Sequence, residues 1–266
     1  MSAEYYSDVF RRYAGFIFDQ PGNHIVKISS GSLNDDYKRT EVLMQRIGNM
    51  MEGLAVHYYS GFGKPNNATK FNDNSFYGLI SKTLDVETIL KNHIAVMDKY
   101  DPQCHVGLYL DEWGTWYDAE PGTSDLYQQN TMRDAIVAAL NFDIFHKYSR
   151  RLRMANIAQV VNVLQAMILT NDTDMVVTPT YHVFEMYNVH QNASFLPSDI
   201  ITPTMKGPYH DIPVPNIDAT ASKKDGKIHF DHKDTVTPKA FKGYKTTKAG
   251  IEVTLPPCSI VAFEVE

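Results

Sequence analysis

Two periods of apolar residues alternate along roughly the first 190 residues. Behind Ser2, a good capping residue, Tyr6, Val9, Phe10, Tyr13, Phe16 and Ile17 recur at helical spacing and predict a helix over 3–19, ended by Pro21-Gly22-Asn23. His24–Ser29 is a short β-rich run. Tyr37–Met51 returns to helical spacing, with Leu43, Ile47 and Met51 on one face, and Gly53–Tyr59 reads as an apolar strand. Gly61–Ser81, rich in Gly, Asn and Lys, predicts a long loop over a site. Asp85 then caps a helix from Val86 to Tyr100 whose inward stripe is Val86, Ile89, Leu90, Ile94 and Met97. Val106–Leu110 is a strand-like run. A helix over 127–148 turns Met132, Ile136, Ala139 and Leu140 inward, Arg153–Val163 is a fourth strand, and 179–190 is a final helix.

Alternating strands and helices argue for an α/β fold with a parallel sheet and crossover helices. Only four strands are visible, whereas a complete eight-stranded barrel takes about 250 residues. After about residue 200 the pattern changes: Pro203, Pro208, Pro213 and Pro215 crowd together. Short β-type runs follow at Lys227–Phe230, Ile251–Leu255 and Ile260–Val265, with Asp225-Gly226 as a hairpin signal. The expected organisation is an α/β unit over 1–198 and a small all-β module over 199–266, too short in strands to stand without support.

Composition narrows the function classes. A net charge of −6 leaves no electrostatic footprint for nucleic acid, and no apolar run is long enough to span a membrane. Lys239, Lys242, Lys245 and Lys248 read as one solvated strand face. Cys104 and Cys258 stand in no metal or redox spacing, which favours a reducing compartment. The N-terminal residues lack the basic and apolar regions of a signal peptide. Nucleophile-elbow, Walker, dinucleotide-binding and zinc-protease motifs are missing, and His229-Phe230-Asp231-His232 near the expected hairpin is a weak metal candidate.

The chemistry gathers at Leu108-Tyr109-Leu110-Asp111-Glu112-Trp113-Gly114-Thr115-Trp116-Tyr117. An apolar strand that ends in two carboxylates and two tryptophans resembles the working end of a barrel strand, with a carboxylate at the rim and flat rings for a sugar. A strand-end carboxylate taken alone is more often a solvated surface group; the neighbouring rings favour Glu112 as a glycosidase nucleophile. Strict alternation sends Asp111 and Glu112 to opposite sides, so they are not a catalytic pair. His57 and Tyr59 end the preceding strand on one face, with Tyr58 on the other. They suit sugar hydroxyls or the nucleophile as well as plain packing. Gln159, expected in an apolar strand, needs partners for its amide, from the backbone or from a sugar. Trp116 is either a pocket wall or core.

These residues resemble the intracellular α-L-arabinofuranosidases of glycoside hydrolase family 51. Tyr109–Tyr117 is similar to that family's nucleophile strand, Gly53–Tyr59 to the strand before it, Met154–Val163 to the last barrel strand, Thr180–Tyr187 to the helix after it, and Leu255–Val261 to the closing strand of its β-sandwich. The resemblance implies strands five to eight of a (β/α)8 TIM barrel followed by a reduced β-sandwich. It implies a retaining mechanism with Glu112 as nucleophile, substrate contacts from His57, Tyr59, Trp116 and Gln159, and no metal or organic cofactor. It further implies a cytoplasmic location, a homo-oligomer in the full-length form, and terminal arabinofuranosyl groups of arabinan or arabinoxylan oligosaccharides as substrate. The family's acid/base is a Glu preceded by Asn, and none of the glutamates here has that context. The acid/base is therefore absent from this chain. The expectation is the C-terminal portion of such an enzyme, inactive alone. The alternatives are a non-catalytic sugar-binding or assembly fragment that completes a barrel with another chain, and a related barrel xylosidase or endoglucanase.

Overall fold

A computed structural model describes residues 1–61, 67–206, 213–223, 240–248, 250–257 and 259–263. The predicted strand over Lys227–Phe230, its hairpin signal, the His229–His232 cluster and Cys258 lie outside the described residues, as does the end of the run at Ile260–Val265.

Four parallel strands form the central sheet in the order β1-β2-β3-β4: β1 (Ile28–Leu33), β2 (Gly53–Ser60), β3 (Gly107–Thr115) and β4 (Leu152–Ile157). The connections are helices α2 (Tyr37–Ile47), α3 (Asp73–Tyr100) and α4 (Met132–Lys147); α1 (Ala3–Ala14) precedes the sheet and α5 (Pro179–Tyr187) follows it. Parallel neighbours require such crossovers, and the predicted α/β class with a parallel sheet is what the chain adopts.

Several boundaries moved, each for a physical reason. Ser2 accepts the Tyr5 amide as expected, but α1 stops at Ala14, and Phe16 lies beyond it in solvent. Helical spacing alone continued the pattern past Gly15. Strand β1 begins at Ile28 because pairing with Gly53 sets its start. Most of the predicted loop over 61–81 is helix: Asn72 caps α3 at the Ser75 amide, and Asp85, the expected cap, lies inside α3 bonded to Lys82. Gly78 sits in the helix where Leu79 and Ile80 are buried. Met132, expected inward, is exposed, and burial on α4 falls on Ala135, Val137 and Ala138.

The helices cover one face of the sheet. Leu54, Val56 and Tyr58 of β2 and Leu108, Leu110 and Trp113 of β3 pack there against Leu43 and Ile47 of α2, Val86, Leu90 and Met97 of α3, and Ala135 and Ala138 of α4. Each fully buried leucine contributes about 1.5–3 kcal/mol of hydrophobic stabilisation. The other face carries His57, Tyr59, Tyr109 and Glu112. On it Ile28, Leu33 and Met154, paired in register with Gly53, His57 and Tyr109, are 40%, 49% and 48% exposed. The Tyr109 ring lies against Gly53, where a Cβ would come within 2.4 Å of it; only glycine leaves that space.

Beyond α5, among the described residues, the strands pair two by two and antiparallel: β7 (Ser194–Leu196) with β10 (Ala221–Lys223), β8 (Thr204–Lys206) with β9 (Pro213–Pro215), and β11 (Tyr244–Thr247) with β12 (Gly250–Val253). A short hairpin, β5 (Ile168–Thr170) and β6 (Met175–Val177), precedes α5. Val214 of β9 is buried with Leu79 and Ile80 of α3 and Val137 of α4. His146 at the end of α4 meets the Thr220 hydroxyl at 3.1 Å, so these strands lean on the α/β unit.

Candidate active site

The site forms where β2 and β3 end. Their register runs Val56 to Leu110 and then His57 to Glu112, so Asp111 is an extra residue, a bulge. A bulge breaks alternation and re-aims the side chains around it. This overturns the expectation that Asp111 and Glu112 point to opposite sides. His57 Nε2 lies 3.0 Å from Asp111 Oδ1, and His57 Nδ1 lies 3.4 Å from Glu112 Oε2. Both carboxylates reach the same imidazole.

Tyr59 completes the cluster. Its hydroxyl donates to Glu112 Oε2 at 2.6 Å, the oxygen that His57 also faces, so neither group engages Oε1. Tyr58, on the alternate position, turns to the helix side and donates to the Lys82 carbonyl at 2.5 Å. The Asp111 carboxylate 3.0 Å from Nε2, outweighing partial burial, raises the His57 pKa above its ordinary value. Burial first, and the Glu112 carboxylate second, push the Tyr59 phenol far up, so it remains a donor. His57, Asp111 and Glu112 are each a third to under a half exposed. A substrate can reach them.

The two tryptophans part company. Trp116 is half-buried with its ring edge-to-face on Tyr59, centroids 5.1 Å apart, beside the cluster. Trp113 is fully buried on the helix side among Phe142, Phe145 and Phe184 and is core, so only one of the two rings can meet a sugar. Gln159 departs further. Strand β4 ends at Ile157, the Ala158–Gln159 peptide is cis, and Gln159 is exposed rather than buried in a strand. Its backbone bonds Val163 and Met167, while Ala158 packs with Tyr59 and Leu164. The structure thus gathers Glu112, His57, Tyr59 and Trp116, with Gln159 at the margin.

A buried polar network fixes β3 just past the site. Thr115 donates its hydroxyl to Asp134 Oδ1 at 2.7 Å and its amide to Gln165 Oε1 at 2.9 Å. Gln165 passes its own amide protons to the Asp134 carbonyl and the Thr180 hydroxyl, and Gln128 accepts from the Tyr117 amide at 2.8 Å. Asp134 also caps α4 in a reciprocal box with Thr131. Gly114, at φ +148°, takes a conformation that side chains disfavour, against the Gln165 side chain. Nearby, Arg133 is buried between the rings of Phe71 and Tyr117 and donates to the Asn67 carbonyl at 3.0 Å. It thereby ties the segment after β2 to the start of α4. The sequence signal for this scaffold was Thr131-x-x-Asp134, a capping box. Asp111 had none, because alternation argued against it.

Among the described residues no group of three or more His, Cys, Asp or Glu is placed to hold a metal ion, and no helix is long and apolar enough to cross a membrane.

These features define a class: an α/β protein with a carboxylate, imidazole and phenol at the carboxyl ends of adjacent parallel strands. Comparison with known proteins specifies it. Residues 111–225 match the family described as "Alpha-L-arabinofuranosidase C-terminal domain". An intracellular exo-α-L-arabinofuranosidase of Bacteroides ovatus is 45% identical over 313 aligned residues that take in 100% of this chain and 61% of the relative. The crystal structure of the family 51 arabinofuranosidase from Xanthomonas axonopodis pv. citri superposes with a TM-score of 0.80 at 47% identity, over 84% of this chain and 46% of that one. A family 51 α-L-arabinofuranosidase from Bifidobacterium longum shares the fold, with a TM-score of 0.68 at 17% identity. The chain is thus similar to the C-terminal part of α-L-arabinofuranosidases of glycoside hydrolase family 51. It spans 61% of the length of the curated relative it matches.

Proposed function

We propose that the chain supplies the nucleophile half of a retaining α-L-arabinofuranosidase that removes terminal arabinofuranosyl groups from arabinan or arabinoxylan oligosaccharides in the cytoplasm. The observation that carries this reading is Glu112 at the end of β3, with the Tyr59 hydroxyl and the His57 ring converging on one of its oxygens. A retaining glycosidase needs a carboxylate that attacks the anomeric carbon and departs again when water arrives. A donor on Oε2 holds the carboxylate still and leaves Oε1 to form the bond. Trp116 walls the furanose, and Gln159, at the rim, reaches sugar hydroxyls.

The second carboxyl group of the mechanism protonates the leaving oxygen and sits about 5 Å from the nucleophile. Asp111 is the other carboxylate at this cluster, and its partner is His57. We assign the acid to a glutamate of the whole enzyme outside these 266 residues, and the four strands to the fifth to eighth of a (β/α)8 barrel, with residues 199–266 as a reduced β-sandwich. The half-exposed Ile28, Leu33 and Met154 on the open face of the sheet support this placement, since a closed barrel would cover them. The same open face favours a second reading, a non-catalytic piece that completes a barrel with another chain.

Aryl α-L-arabinofuranosides with good and poor leaving groups separate the readings. The 266-residue chain alone is expected to turn over neither at a useful rate. Addition of the part of the Bacteroides ovatus relative that it does not span is expected to restore turnover of both. Turnover that is restored and survives Glu112→Gln would sink the nucleophile assignment and leave the assembly reading standing.

A further inference from the structure

Each nitrogen of His57 faces a carboxylate: Nε2 faces Asp111 at 3.0 Å and Nδ1 faces Glu112 at 3.4 Å. An ionised carboxylate only accepts hydrogen bonds, and a neutral imidazole has a single N–H. A neutral ring in this place would donate to one carboxylate and turn a lone pair on the other. The doubly protonated ring sets a positive N–H edge, and no lone pair, beside each carboxylate as an ion pair. Asp111 is there to do this because the bulge of β3 swings it to the side of the sheet where His57 lies.

We infer that Asp111 is a positioning residue for Glu112: from the bulge its carboxylate pairs with the His57 ring at Nε2, keeping the ring protonated with an N–H at Nδ1 on the nucleophile's side. The inference rests on the reading of Glu112 as nucleophile. It adds a residue that acts on the nucleophile only through the histidine. A positive ring between Asp111 and Glu112 offsets part of the negative charge of each. Among the described residues the charged or titratable groups that face the pair are Asp111 and Glu112 from β3 and Tyr59 from His57's own strand. Strand β1 offers the uncharged Leu33, in register with His57, and the Asn34 amide, which donates to the His57 carbonyl.

The test uses the 266-residue chain with isotope-labelled histidine, following the imidazole nitrogens of His57 by NMR as pH rises. His57→Gln identifies its resonances. In the unaltered chain His57 is expected to stay doubly protonated to higher pH than an ordinary histidine. In Asp111→Asn, the amide can donate to Nε2, so the ring is expected to lose its charge about one pH unit or more earlier and to rest as the Nδ1-protonated tautomer. Asp111→Ser is a second variant should the first fail to fold, and is expected to shift the midpoint the same way. A midpoint that moves by less than about 0.3 unit in a folded variant overturns the inference. A second measurement uses the reconstituted enzyme with an activated aryl arabinofuranoside. Asp111→Asn is expected to lower kcat roughly tenfold with KM little changed and to shift the pH profile toward acid. No turnover by the unaltered reconstituted enzyme would count against the glycosidase reading, while the NMR shift would still decide the role of Asp111.

Discussion

Two polar clusters sit three residues apart on β3 and are built on opposite principles. At Asp111–Glu112 the groups are half-exposed, charged and held by a few contacts. At Thr115 the groups are buried, and Asp134, Gln128, Gln165 and Thr180 answer one another's hydrogen bonds. The first cluster leaves a carboxylate oxygen without either donor. The second leaves little to chance, because an unmet polar group in the interior costs about 1–3 kcal/mol. On the proposed function, reactive and supporting chemistry are separated along one strand: the network fixes the strand end so that the exposed cluster holds its geometry with few contacts.

If that separation is right, substitutions on the two sides should affect different measurements. The largest effect belongs to Glu112→Gln, which is expected to lower turnover by the reconstituted enzyme at least about a thousandfold with thermal stability unchanged. Next is Asp134→Ala, which removes one half of the capping box and leaves the Thr115 hydroxyl without its acceptor. It is expected to cost about 2–4 kcal/mol in a denaturant titration, whereas Asp111→Ala should cost no more than about 1, as a half-exposed pair. Equal costs would erase the distinction between the clusters.

A third test lies at the junction of α4 and α5, where Tyr187 donates to Asp143 at 2.7 Å. Burial pushes the Asp143 carboxyl up to about 7. The folded chain therefore holds this proton where the unfolded chain has released it, and stability falls as pH rises from about 4 through about 7. Asp143→Asn keeps an acceptor for Tyr187 and is expected to raise the melting temperature at pH 8 by more than at pH 5. His146, lowered to about 4 by burial, acts in the opposite sense, its loss of stability falling between its ordinary value and about 4. An Asp143→Asn effect that is the same at both pH values would show that this carboxyl is not held protonated. The smallest effect is expected of Gln159→Ala, within about 0.5 kcal/mol in stability because the side chain is exposed. A larger loss would place Gln159 in the scaffold rather than at the rim.

The sequence revealed the sheet better than its limits. Gly53–Tyr59 and Val106–Leu110 were legible as strands because both are short apolar runs bounded by turn or polar residues, and the alternating elements between them fixed the α/β class. The start of α3 was hidden because Gly, Asn and Lys read as loop, while the residues that make it a helix, Leu79 and Ile80, are buried only through tertiary contacts with Tyr117 and Val137. Glu112, His57, Tyr59 and Trp116 could be singled out because aromatic and ionisable groups at strand ends are poor packing material. Asp111 could not, since a bulge is a property of two paired strands and is not written in either. Gln159 was misplaced for a related reason: apolar spacing carried the predicted strand past Ile157, where the chain turns and exposes it.

The most direct test of Glu112 is covalent. A retaining enzyme holds the sugar on its nucleophile between two steps, and a 2-fluorinated arabinofuranoside with an activated leaving group slows the second. After incubation with the reconstituted enzyme, mass spectrometry of its peptides is expected to find the sugar on Glu112, and to find none in Glu112→Gln. A sugar on Asp111 or any other carboxylate, or an adduct that persists in Glu112→Gln, would contradict the account.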